Sequence, residues 1–265
     1  MLLDGNAVVV SNACAALLEI SRASNKNYIR LKNSNILNKI LSAVNDSNEW
    51  GQIYILEAIC TYDTADSKES ENIIERVLPR LSHNNPAVIL AAIKVILKFM
   101  DSISNVELMK GVVKKLAAPL ITLLSCEPEI QFVALRNINF ILQKQSTIFE
   151  SNVRVFFCKF NDPVYVKLEK IDILVKVADK KNFDTILTEL KEYSNDIDLE
   201  LVRKSVRAIG HIILKVDESA KKAVEIIQDI VGNGQPLALQ EAIIVAKDIL
   251  RKFPNRFESI IKDFC

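Results

Sequence analysis

The chain has 265 residues, 49% hydrophobic and 25% charged, which excludes a disordered or fibrous polymer and leaves room for one or two globular domains. Thirty-four Lys and Arg against 33 Asp and Glu give a net charge of +1, so no global field draws in nucleic acid or an anionic membrane. Six Gly and seven Pro are too few for a turn-rich β sandwich or a glycine-looped nucleotide fold, and composition leans all-α. The longest purely apolar run, 87–93, falls far short of the roughly 18 residues of a membrane span. The five cysteines, at 14, 60, 126, 158 and 265, have no metal-ligand spacing and read as scattered reduced thiols of a cytosolic protein.

Along the chain one pattern recurs. Asn85-Pro86-Ala87-Val88, Glu127-Pro128-Glu129-Ile130, Asp162-Pro163-Val164-Tyr165 and Gln235-Pro236-Leu237-Ala238 each place a polar turn and a proline before an apolar segment. Proline fits the first helical turn, where its missing N–H would be unpaired anyway. Ala7, Glu49 and Asp198 open comparable segments without the proline, and the anchors 7, 49, 86, 128, 163, 198 and 236 lie 35 to 42 residues apart. That spacing runs from just above the helical repeats of about 34 into those of about 40–47 residues. It predicts an all-α fold: an α-solenoid of HEAT/armadillo-like helical hairpins, about seven units, as a single segment over 1–265.

In the third unit Ile89, Ala92, Ile93, Ile96, Leu97 and Met100 recur at helical spacing and predict a buried stripe. Periodic stretches at 36–44, 73–81, 112–124, 148–157 and 183–190 predict the outer helices. The chain opens on the second helix of a unit and closes, at 254–264, on the first helix of another. Val8, Val9 and Val10 at one end and Ile260, Ile261 and Phe264 at the other are apolar where a capping repeat is polar. The expectation is a segment of a longer array.

Catalytic parts are sparse. The two histidines read as a solvated turn residue, His83, and a helix-packing residue, His211, and carboxylates such as Glu69 and Glu71 read as a solvated face. No phosphate loop, dinucleotide fingerprint or HExxH string occurs, so no catalytic, cofactor or metal residue is assigned. A solenoid's inner helices offer a binding surface instead. Lys94, Arg136 and Arg207 fall eight or nine residues after their anchors and predict a basic ladder, joined by Lys167, Lys170, Arg203 and Lys204; Glu169 and Glu200 lie near enough to pair with them. Trp50 is expected to fill a gap between repeats and Gly51 to permit close helix approach. A single Trp cannot form the tryptophan rows of nuclear-import receptors.

Several strings resemble the trunk of the β-type large subunit, or β-adaptin, of clathrin adaptor complexes. They are Glu49-Trp50-Gly51-Gln52, Pro79-Arg80-Leu81-Ser82-His83, Val133-Ala134-Leu135-Arg136-Asn137-Ile138, the run from Asn161-Asp162-Pro163 through Val166-Lys167-Leu168-Glu169-Lys170, Val202-Arg203-Lys204-Ser205-Val206-Arg207-Ala208-Ile209-Gly210, and Gln240-Glu241-Ala242-Ile243. Departures from the family pattern are mostly conservative or at turns, with Ala65-Asp66-Ser67 and Asn105-Val106-Glu107 in stretches expected to vary. The resemblance implies a non-catalytic middle section of a trunk that supports cargo selection and coat assembly in vesicle transport. Its implied partners are the medium chain, the other large adaptin and the small chain of the complex. Clathrin would be reached only through regions outside this chain, and membranes only peripherally, as part of the complex. No cofactor and no nucleic acid is implied. The implied location is cytoplasmic, on trans-Golgi/endosomal or plasma-membrane coated vesicles. On this reading Arg136, Arg203 and Arg207, with Lys167, Lys170 and Lys204, would hold an acidic or carbonyl-rich surface of the medium chain. A solenoid scaffold of another assembly, such as a coatomer-type coat or a phosphatase, is the alternative.

Overall fold

The computed structural model describes residues 1–29, 34–64, 66–103, 106–144, 146–232, 236–254, 256–257 and 261. Among them are twelve α-helices, three 3₁₀ segments and no strand. The chain divides into two compact units, Met1–Leu123 and Leu124–Cys265.

The first unit holds α1 (Ala7–Ser24), α2 (Ser34–Asp46), α3 (Glu49–Cys60), α4 (Ser67–Val77) and its 3₁₀ extension Leu78–Ser82, α5 (Pro86–Met100) and α6 (Val106–Leu123). Packing of α1 on α3 and α3 on α5 makes an inner layer, backed by α2 against α3 and by α4 and α6 against α5. By length and composition α1 could cross a bilayer, with mean hydropathy 1.2 over 18 residues, yet it packs on α2 and α3 as a repeat helix does.

The second unit holds α7 (Pro128–Lys144), the 3₁₀ segment Ser146–Phe156, α8 (Val164–Val177), α9 (Phe183–Tyr193), α10 (Leu199–Lys215), the 3₁₀ turn Asp217–Ser219, α11 (Ala220–Gly232) and α12 (Pro236–Lys252). Here α7, α8, α10 and α12 pack in succession as the inner layer, with α9 and α11 outside. Each unit is therefore a run of α-solenoid hairpins.

The helix starts follow from local chemistry. Every anchor read from the sequence lies at the first residue of an inner helix or at its cap. Asn6, Asn48 and Asn85 accept the amide N–H of Val8, Gly51 and Ala87, and Asp198 accepts those of Glu200 and Leu201. Each satisfies donors that the first turn leaves open. Pro86, Pro128 and Pro236 then occupy the first helical position, and Pro163 caps α8.

The expected stripe of α5 is buried, but Val88, Ala91, Val95 and Phe99 are buried as well, because α5 is covered by α3, α4 and α6 together. Two glycines set how closely helices approach. A Cβ on Gly210 would stand 2.8 Å from Cγ2 of Val245 on α12, and one on Gly51 would stand 3.0 Å from Cβ of Ser11 on α1.

Some expectations are corrected. The stretch 148–157 is a 3₁₀ segment, broken at Asn152 (φ −116°, ψ 28°), where an α-helix is expected. Asn favours local backbone bonding over helix, and the following Val153, Val155 and Phe156 are poor helix formers. Burial fixes the segment instead, with Phe149 and Phe156 both buried and in edge-to-face contact at 5.6 Å. Trp50 does not fill a gap: it is 70% exposed, because α3 packs through Gly51, Gln52, Ile55, Leu56 and Ile59, which turns residue 50 outward. Val10 is buried although Val8 is exposed, and Ile261 is exposed. Ile260, Phe264, Ala65, Asn105 and Gln235 lie outside the described residues, as does most of the helix expected at 254–264.

A tie between repeats recurs. Near the end of α5, Lys98 donates to the carbonyls of Cys60 and Tyr62, at 2.7 Å each, and to Asp63, at the C-terminus of α3. Lys215 at the end of α10 reaches the carbonyls of Val175 and Lys176 in α8, and Lys252 at the end of α12 reaches those of Ile213 and Leu214 in α10, with Asp217. A cation on the orphan carbonyls of a helix end satisfies them and complements the helix dipole.

Candidate functional site

Four of the basic residues expected along the inner face, Arg136, Arg203, Lys204 and Arg207, are bonded, helix to helix, to acids of a neighbouring repeat. On α7, Arg136 donates to Glu169 of α8 at 3.2 Å. On α10, Lys204 donates to Asp172 of α8 at 2.7 Å. Arg203 and Arg207, one turn apart on α10, both turn to Glu241 of α12. The Nε and Nη2 of Arg203 donate to its Oε1 at 3.1 and 2.9 Å, and Arg207 donates from Nε to Oε2 at 3.3 Å and from Nη2 to both oxygens at 2.9 Å.

Glu241 is 1% exposed, whereas the arginine side chains remain 46% and 57% exposed. Burial pushes the Glu241 carboxyl up, but the bonds and charges of Arg207 and Arg203 outweigh it and hold the group below the ordinary carboxylate value.

Between α8 and α10 runs a groove of about 790 Å³. Leu168, Val175 and Ala208 supply apolar lining, and Lys176, Arg203, Lys204, Arg207 and His211 supply donors. Lys176 is itself bonded to Asn139. His211 is exposed and lines this groove, which corrects its reading as a packing residue: α10 turns Gly210 and Ile209 inward, and the next position points out. His83 is partly buried, and its Nδ1 accepts the amide N–H of Asn85 at 3.0 Å.

Lys170 does not join the face. It is 1% exposed and donates to Asp162 at 2.6 Å and to the carbonyl of Phe157, locking the turn before α8. Nearby, the Tyr193 hydroxyl accepts the Cys158 amide N–H at 2.8 Å and donates to Glu189. Burial pushes the Cys158 thiol up to about 11, so it is a neutral packing group and a poor nucleophile. Lys167 is mostly covered and leans toward Asp196 at 3.7 Å. In the first unit Lys94 is exposed beside a separate groove lined by Arg22, Lys26 and Glu57. Glu69, read as solvated, accepts the Tyr62 hydroxyl.

Sequence reasoning missed Glu241 as the centre of this site. Its partners lie 34 and 38 residues away, about one repeat period, and that period was the available signal. Among the described residues no cluster of His, Cys, Asp and Glu is arranged to hold a metal.

Over 262 residues the chain is 49% identical to the AP-1 complex subunit beta of Dictyostelium discoideum, and over 263 residues 48% identical to the AP-1 complex subunit beta-1 of Homo sapiens, covering 99% of this chain each time. It is 39% identical over 262 residues to the AP-2 complex subunit beta of Schizosaccharomyces pombe, covering 98% of this chain. The chain spans 28% of the length of the first two and 39% of the third. Its fold is similar to a chain in a homology model of the full-length AP-3 complex in an intermediate open conformation, with TM-score 0.69 and 17% identity, covering 99% of this chain and 47% of that one. The model of the adaptin N terminal region matches residues 1–265. With that match across the whole sequence, the chain belongs to the adaptin N-terminal region family.

Proposed function

We propose that the chain is a non-catalytic scaffold segment of a β-type large subunit of a clathrin adaptor complex, part of one longer trunk, supporting cargo selection and coat assembly in vesicle transport. The observation that carries this reading is 48–49% identity to AP-1 beta subunits over 99% of the chain. The partners are the other large adaptin, the medium chain and the small chain, at the cytoplasmic face of trans-Golgi/endosomal or plasma-membrane coated vesicles. Clathrin is reached through regions outside these residues.

The face that meets a partner is the α8–α10 groove and its surroundings, with Arg136, Arg203, Lys204 and Arg207 as contact residues toward the medium chain. Lys167 and Lys170 support the turn that presents α8. Helical hairpins suit the role, since stacked repeats leave an extended surface of inner helices.

Affinity isolation of the full-length protein followed by mass spectrometry tests the reading. Recovery of a medium, a small and a second large adaptor chain is expected. Recovery of coatomer-type or phosphatase subunits in their place overturns it.

A further inference from the structure

We infer that Glu241 is the positioning residue of this face, holding Arg203 and Arg207 as a double fork for one carboxylate side chain of the partner segment that fills the α8–α10 groove. The inference deepens the reading of the groove as a partner surface and rests on it.

Five bonds from two guanidiniums to one buried carboxylate fix the rotamers of two long side chains before any partner arrives. Ordering such side chains otherwise opposes association, at roughly 0.5–1.5 kcal/mol per side chain. Among the described residues neither Nη1 has a partner, so each arginine, half exposed, keeps a free donor edge. A guanidinium edge offers parallel N–H donors matched to carboxylate oxygens.

Charge decides what ligand fits. Glu241 already neutralises one of the two arginines, and Lys204 is neutralised by Asp172. Lys176, bonded to the neutral Asn139, offsets Glu200 at the groove wall, so the net +1 left on the arginine pair matches a single carboxylate, and a phosphate dianion would bring one negative charge too many. Leu168, Val175 and Ala208 then suit aliphatic neighbours of that carboxylate. The partner segment is thus an acidic side chain flanked by aliphatic ones, on a protein surface.

The test uses the full-length chain and the purified medium chain, with affinity read by calorimetry. Glu241→Gln keeps the shape and removes the charge that aligns the forks. Binding about 10- to 100-fold weaker is expected, with thermal unfolding and circular dichroism showing a folded protein. The Nε–H signals of Arg203 and Arg207, protected from exchange in the wild type by their bonds to Glu241, are expected to be lost in Glu241→Gln. Should that variant unfold, Arg203→Lys with Arg207→Lys keeps every charge, satisfies Glu241 and removes the planar forks; the same weakening is expected. Wild-type affinity in a folded Glu241→Gln chain, or in the double lysine chain, overturns the inference and leaves the partner reading intact. No binding by the wild-type chain overturns the partner reading, and the inference with it.

Discussion

At the scale of single residues, buried charges set the behaviour of the second unit. Glu241 has its carboxyl held below the ordinary value in the folded chain, so the folded state binds its proton less readily than the unfolded state does. Its contribution is fully present above the ordinary carboxylate range and is lost as pH falls through the folded value. Urea unfolding from pH 7 to pH 3 is therefore expected to show stability falling on acidification, with a shallower fall in Glu241→Gln. Reversing both arginines to Glu would leave a buried carboxylate with no counter-charge and two more beside it, at a cost of about 3–5 kcal/mol. Loss of a partner in that double reversal would report unfolding, so neutral or charge-conserving changes are the informative ones. The side chains of Lys170 and Asp162 are both buried, and Lys170→Met removes the counter-charge and leaves the carboxylate the Lys159 amide N–H. A loss of about 3–5 kcal/mol in chemical denaturation is expected, far above the effect of removing a solvent-screened surface pair.

At the scale of elements, packing between inner helices allows little room. Gly210→Ala drives a methyl group into Val245, and overpacking of this kind costs about 1–3 kcal/mol. Gly111 in α6 faces open space, so Gly111→Ala is expected to raise stability by about 0.5–1 kcal/mol through helix propensity alone. Opposite shifts of the urea midpoint check both together. Helix starts were legible in the sequence because their signals are local: Asn6, Asn48, Asn85 and Asp198 cap, and Pro86, Pro128 and Pro236 occupy the first position of their helices. The facing of Trp50 and His211 was not legible, because it depends on which neighbour each helix meets. The same is true of Lys170, whose spacing from Lys167 suggests a shared exposed face, while the turn carrying Asp162 folds over it. The segment 146–156 kept its place outside α8, but its apolar pattern is satisfied by two buried phenylalanines in 3₁₀ geometry as well as by an α-helix.

At the scale of the whole molecule, the seven anchors account for both units, and the acid–base pairs on the inner layer are what the period did not spell out. Each of Arg136, Arg203, Lys204 and Arg207 is engaged by another repeat, so the face is a set of ion pairs with free edges and not a bare basic stripe. Raised ionic strength is accordingly expected to weaken partner binding while changing the midpoint of thermal unfolding little, since the carboxylate at the centre is shielded from solvent. Titrating salt in parallel binding and melting experiments checks this.

The lysine ties have a direction. Lys98, Lys215 and Lys252 each reach toward the N-terminus, so an inner helix depends for its closing turn on the repeat that follows it in the chain. Disturbance should then travel one way: cutting a tie frays the helix before it and spares the helix that carries the lysine. Lys252→Met is expected to speed amide hydrogen exchange in the last turn of α10, around Ile213 and Leu214, while exchange in α12 stays close to wild type. Within each unit the ties are thus polar in the mechanical sense: a repeat that loosens releases the one before it and leaves the one after it held.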